Sequence, residues 1–259
     1  MLKPVTTLGE YTLAVLKEIG SITIFAIKGI KSCFTPPFFF KEIFRQMMAI
    51  GFYSLPIVGM TAIFAGMVLA LQTYVGFARF GAESAVASVV VVSLTRELGP
   101  VFAGLMVAGR MSSSIAAEIG SMKVSEQIDA LLTLGVDPFK MLVAPRIIAG
   151  VTMLPILVLV ADIIGVLGGF LESTAALNFS AGSYINQTVH SLHGIDVISG
   201  LVKASVFGFL ITCFGCYHGF NSDLGARGVG NATTIAVVAS CISILVVTFL
   251  LTSLFFGVK

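Results

Sequence analysis

An arginine and a glutamate stand side by side inside an otherwise apolar run, SLTRELGPVFAG, residues 93–104. A charge in hydrocarbon costs at least ~2.5 kcal/mol at a helix centre, so Arg96 and Glu97 must face protein or a wet cavity rather than lipid tails. Successive residues on a helix point about 100° apart, which keeps the two from simply neutralising each other. Pro100 lacks the N–H that would bond the Arg96 carbonyl, and it bends the helix at that level. The combination predicts an irregular polar pocket in mid-membrane. The alternative is a structural ion pair to another span, with Asp162 as one partner open to Arg96. Read from the residues alone, the chemistry that suits such a pocket is an ion or proton relay through Arg96, Glu97 and Asp162.

Other reactive side chains promise less. Cys213-x-x-Cys216 with His218 beyond it supplies at most three metal ligands, and Tyr217 stands where haem attachment would need the histidine. The cysteines read as small apolar residues of a packed helix, and no metal site is expected. The stretch LGARGVGNATT, residues 224–234, has neither a preceding strand nor a Lys, so it reads as a turn into a helix rather than a phosphate cradle. No G-x-x-x-x-G-K-[ST], H-E-x-x-H or G-x-S-x-G pattern occurs, and no nucleophile–base pair is evident. Catalytic residues are therefore not expected, and energy for uphill work would come from a partner or an ion gradient.

A third kind of chemistry is docking. Around SEQIDALLTLGVDPFK, residues 125–140, the preceding Val124 with Ile128, Leu131 and Leu132 recur at helical spacing while Ser125, Glu126, Gln127 and Asp129 take other faces. Gly135 fits the left-handed position after a helix, Val136 can fold back on the last turn, and Asp137-Pro138 can cap and open the next helix. A surface helix resting on headgroups would favour basic residues. The acidic face here points instead to a protein partner. Lys140 and Arg146 read as interfacial anchors of the following span.

The elements that must position these residues are membrane helices. The 259 residues are 57% hydrophobic and 11% charged, with a mean hydropathy of +1.03, far from a soluble domain. Continuous apolar runs long enough to cross a ~30 Å core fall at about 53–75, 84–109, 147–170, 197–217 and 232–257, and their lack of alternation excludes barrel strands. The fold class expected is an all-α integral membrane protein with five transmembrane helices, in which residues 1–52 precede a transmembrane domain at 53–259. Of the fifteen Lys and Arg, eleven fall before the first run or in the second and fourth loops. The positive-inside rule then puts the N-terminus in the cytoplasm and the C-terminus outside. Over residues 8–31, Glu10, Lys17, Ser21 and Lys28 share one face with Val15, Ile19, Ile22, Ala26 and Ile30 opposite, the pattern of an interfacial amphipathic helix. Pro36-Pro37 breaks it. Gly104, Ala108, Ser112, Ala116 and Gly120 recur at four-residue steps, a ladder that permits close helix approach within one chain or between two.

Residues 96–151, together with GMVLALQTY at 66–74 and GVGNATT at 228–234, resemble the MlaE (YrbE) family of ABC-transporter permeases, and the resemblance runs from about residue 40 to the end. It implies a homodimeric permease, without catalysis of its own, in a bacterial inner membrane. Such a permease works with a cytoplasmic ABC ATPase and a periplasmic MCE-domain protein to move phospholipid between the inner and outer membranes and maintain outer-membrane lipid asymmetry. ATP and Mg would be used by the ATPase, this chain would bind no cofactor, and no nucleic acid is involved. The resemblance makes the helix after span two a coupling helix, with Glu126, Gln127, Asp129, Ala130, Leu131, Leu134, Gly135 and Asp137 at the ATPase contact. By matching position, Leu69, Gln72, Gly76, Phe77 and Phe80 would line a lipid cavity beside Arg96 and Glu97. The loop 171–196 and the Cys213–Cys216 stretch follow no family pattern, and Asn231 stands where a basic residue is common. An ion-coupled secondary transporter is the competing reading, although no inverted repeat is visible.

Overall fold

The computed structural model describes residues 3–257, with the side chains of residues 3–11, Val15 and Glu83 undescribed. The side chains of Glu10 and Val15, expected on opposite faces of the first helix, therefore lie outside what is described, as does Lys259. Helix α1 (Lys3–Phe34) ends at the two prolines, and α2 (Phe40–Ile50) runs through a short 3-10 turn into α3 (Leu55–Ala78). The second span is three segments, α4 (Val86–Ser93), α5 (Gly99–Val107) and α6 (Ser113–Val124), joined by π turns at Leu94–Leu98 and Ala108–Ser112. A short α7 (Gln127–Thr133) and a π turn at Phe139–Val143 lead into α8 (Ala144–Ala175), followed by α9 (Ala181–Ser191), α10 (Gly194–Phe220) and α11 (Ala226–Phe256). Among the described residues there is no strand, and five helical stretches are long and apolar enough to span a membrane: Phe40–Ala78, Val86–Val124, Phe139–Ala175, Gly194–Phe220 and Ala226–Phe256. Each of the five apolar runs falls on one of them.

Helix α8 is the axis of the bundle, with α3 on one side and α10 on the other. Both contacts depend on missing side chains. A Cβ on Gly66 would strike the Gly165 carbonyl, and one on Gly208 would strike that of Gly150, so the backbones meet directly as they do between membrane helices with small residues at the crossing. Phe207, Leu154, Leu157, Ile211 and Ile244 fill the core between them. The ladder on the second span packs inside the chain. Gly104 sits under Phe207, Gly120 under Val229, and the Ser112 and Ser240 hydroxyls are 3.0 Å apart.

Helix α1 lies against α8 and α10 through one face. Phe25 meets Phe139, Tyr217 and Phe220 at ring-centroid distances of 5.0, 5.6 and 5.9 Å. Of the apolar face expected for this helix, Ile22 and Ala26 pack inward, whereas Ile19 and Ile30 remain exposed along with Leu16 and Ile27. At the opposite end of the bundle from α7, α9 closes over α4: Tyr184 is buried, and Ser191 Oγ donates to Ser88 Oγ at 2.7 Å.

Candidate functional site

The first π turn holds the charged pair. Its signature bond runs from the Gly99 N–H to the Leu94 carbonyl, one residue longer than an α-helical bond. The Arg96 carbonyl, which Pro100 cannot bond, accepts instead from Lys203 Nζ at 2.9 Å. The same ammonium donates to Glu97 Oε1 at 2.7 Å and to Thr252 Oγ1 at 2.8 Å. Thr252 in turn donates to Glu97 Oε1 at 2.8 Å. Lys203 is fully buried with all three N–H donors directed at acceptors. This is the arrangement a buried ammonium needs to offset its desolvation.

Arg96 has a different partner. Its Nε donates to Asp196 Oδ1 at 2.6 Å, and the guanidinium lies 4.2 Å above the centroid of Phe256. Asp196 is itself completely buried, while the Arg96 side chain is 34% exposed and that of Glu97 32%. The Asp196 carboxylate also accepts from the His193 backbone N–H at 3.1 Å, which fixes it in the first turn of α10. A clamp thus holds one edge of the guanidinium and leaves the other free. The ion pair to another helix that the sequence left open is present, with Asp196 rather than Asp162 as the partner, and the rest of the guanidinium is partly exposed.

Three expectations change. Asp162 is not the partner of Arg96. It lies in α8 against Gly99, and its Oδ1 is buried without a hydrogen-bond partner. The pair also lies away from mid-bundle. The second span extends to Val124, and the partners come from the first turns of α10 and the last turns of α11, so the cluster occupies the half that ends in α9. Arg146, expected as an interfacial anchor, is 1% exposed and pairs with Glu118 at 2.8 Å, while Glu118 also meets Arg45 at 3.2 Å. A guanidinium at that depth is held by a carboxylate, not by headgroups.

The residues of α3 are placed separately. Leu69 packs on the cluster formed by Ala70, Val86, Val90 and Leu94. Gln72 and Gly76 are exposed, Phe77 is half-buried and Phe80 is 82% exposed. The side chains that close the Arg96–Glu97 cluster come from α10 and α11 rather than from α3. Asp196, Lys203 and Thr252 were missed by sequence reasoning. A lone Lys inside the fourth apolar run was the available signal, since it requires an acidic partner.

At the far end, the corner after α7 is built as its residues dictate. Gly135 has φ +74°. Its N–H donates to the Leu132 carbonyl and that of Val136 to the Leu131 carbonyl, both at 3.0 Å, the paired bonds of a Schellman ending. Asp137 Oδ1 accepts from the Phe139 N–H at 2.9 Å, capping the next helix. Glu126 precedes α7 in a left-handed conformation, φ 57°. Ile128 is buried and Leu131 partly so, but Leu132 and Leu134 are 57% and 76% exposed, next to exposed Gln127, Asp129, Ala130 and Asp137. An acidic surface with two unpartnered leucines stands on a rigid corner. Cys213 and Cys216 are buried in the core, and among the described residues no three His, Cys, Asp or Glu side chains gather as metal ligands.

The family described as permease MlaE matches residues 43–254. The chain belongs to the MlaE permease family. It is 54% identical over 258 residues to a probable ABC transporter permease protein of Rickettsia bellii, across 100% of both chains. A Synechocystis protein of the same description is 40% identical over 216 residues, 83% of this chain and 82% of its own. The intermembrane phospholipid transport system permease protein MlaE of Haemophilus influenzae is 36% identical over 219 residues, 84% of each chain. Within the MlaE family frame, this chain is a multi-pass membrane permease whose two polar features stand at opposite ends of one bundle.

Proposed function

We propose that this chain is the membrane subunit of an ABC-type phospholipid transporter in a bacterial inner membrane, with its N-terminus in the cytoplasm. The observation that carries the reading is the Arg96 guanidinium, clamped on one edge by Asp196 and partly exposed on the other, in the half of an apolar bundle that ends in α9. Such a cation can receive a phosphate while apolar helix faces receive acyl tails. Residues of α3 and the turn after it, the exposed Gln72, Gly76 and Phe80 with the partly buried Leu69 and Phe77, complete the lipid path when a second copy closes over the cluster. The acidic and leucine surface of α7, from Glu126 to Asp137, seats a cytoplasmic ATPase that binds the ATP and Mg. Its stiff corner passes nucleotide-driven motion into α8. A periplasmic MCE-domain protein would take up lipid at the α9 end for exchange with the outer membrane. Membership of a family that includes the Haemophilus phospholipid permease supports the substrate class.

Gentle extraction from the chain's own membranes, followed by native mass spectrometry, tests the reading. The expected species contains two copies of this chain, two ATPase subunits and retained phospholipid. A single chain with neither ATPase nor lipid, from an extraction that preserves other complexes of that membrane, would overturn it.

A further inference from the structure

A second site lies at the α7 end, on the outside of the bundle, where α1 passes the corner that follows α7. Two adjoining depressions of about 340 and 290 Å³ run along α1 and share Lys28 and Phe139. Lys28, Lys31 and Lys140 bring three ammonium groups to the first of them, against one carboxylate, Asp137. That carboxylate is already engaged by the Phe139 N–H. Lys140 donates to the Pro36 carbonyl at 2.7 Å, which holds it over the groove with two donors to spare. Lys28 and Lys31 form no ion pair among the described residues and are exposed one helical turn apart.

The position of these lysines on the helix matters as much as their number. At about 100° per residue, Lys28 and Lys31 fall between the face of α1 that packs through Phe25 and Gly29 and the face that exposes Leu16, Ile27 and Phe34 at 63%, 60% and 79%. The groove floor is aromatic, with Phe25, Phe139 and Tyr217. A molecule lying there meets cations at one edge and an apolar helix face at the next. We propose that this groove binds the headgroup phosphate of an anionic phospholipid from the leaflet beside α1, its acyl chains running along the exposed side of that helix. The site is distinct from the Arg96 cluster, which lies in the opposite half of the bundle. Because Asp137 both lines the groove and caps the helix after α7, an occupied groove braces the corner on which the docking surface stands.

The chain contains no Trp, so Ile24→Trp, at an exposed position lining the groove, gives a local reporter in nanodiscs. Its quenching by brominated phosphatidylglycerol is compared with that by brominated phosphatidylcholine, each diluted in unlabelled phosphatidylcholine. Preferential quenching by phosphatidylglycerol is expected, with each lysine near the surface contributing about fivefold to the preference. Lys28→Ala with Lys31→Ala should abolish it, Lys28→Arg with Lys31→Arg should retain it, and Lys17→Ala with Lys41→Ala, which removes as much charge outside the groove, should leave it in place. Equal quenching by both lipids, or equal loss in both alanine pairs, would overturn the proposal. Loss of the preference on adding excess inorganic phosphate at constant ionic strength would assign the groove to a soluble anion and overturn the lipid reading. Because the reporter sits on α1, the result is independent of whether the Arg96 cluster carries lipid.

Discussion

Lys203 decides how the charged cluster should be understood. Its ammonium is fully buried and satisfies the Glu97 carboxylate, the Thr252 hydroxyl and the carbonyl that Pro100 leaves free. Removing one member of such a pair strands the other, at a cost of about 3–5 kcal/mol, whereas replacing both by neutral groups of similar size costs far less. Lys203→Met should therefore sharply lower the midpoint of thermal unfolding in detergent. Lys203→Met combined with Glu97→Gln should recover most of the loss, and simple additivity of the two changes would argue against a coupled pair. The need for partners was legible in the sequence, because Arg96 and Glu97 sit in an apolar run and Pro100 frees a carbonyl. Their identities were not. Helical periodicity says which face of its own helix a residue occupies, but not which helix arrives opposite it, and Asp196 fell in what reads as a loop. Arg146 shows the same limit, since a cation at the start of an apolar run looks identical in sequence whether it reaches headgroups or is buried against Glu118.

Elements defined by local chemistry were the most readable. The Gly135 ending and the Asp137 cap follow from backbone rules that act within four residues, so the short amphipathic pattern and its stop could be placed without knowledge of the fold. The π turns lacked such a signal, apart from Pro100 beside the first. For the small-residue ladder the close contact was predictable, but whether α10 and α11 or a second chain supplied it was not. One strained position, just before α7, bears on the proposed docking. Glu126 adopts φ 57°, a region that costs a residue with a Cβ ~1 kcal/mol or more and glycine almost nothing. Glu126→Gly should thus raise stability by about 1 kcal/mol while removing a carboxylate from the proposed docking surface. The expected outcome is a higher unfolding midpoint together with weaker ATPase co-purification. Undiminished ATPase recovery would remove Glu126 from the contact.

At the scale of the molecule, the five apolar runs matched the five membrane-spanning stretches, but hydropathy could not distinguish a face against lipid from a face against protein. The spans differ greatly in coverage: the most apolar stretch of α11 is 17% buried and that of Phe40–Ala78 28%, against 50% for α10. Exposure alone suits lipid equally well. The Arg96–Glu97 cluster separates the two cases, because Glu97 keeps a third of its side chain open beside α11, about three turns inside the start of the second span, where lipid tails offer no hydrogen bond. Under the proposed function that side of the bundle meets protein or a protein-walled wet cavity, and a second copy presenting its own α11 would supply both with one two-fold contact. In a chain with Cys33 and Cys241 replaced by alanine, Val246→Cys and Leu254→Cys on α11, 53% and 78% exposed, should form a disulfide-linked pair on oxidation in native membranes. Ile156→Cys on α8, comparably exposed at 49%, should remain monomeric. Cross-linking that is equal at the two faces would mean random collision, and cross-linking at α8 alone would move the interface away from the cluster and leave Glu97 to be covered by a different partner.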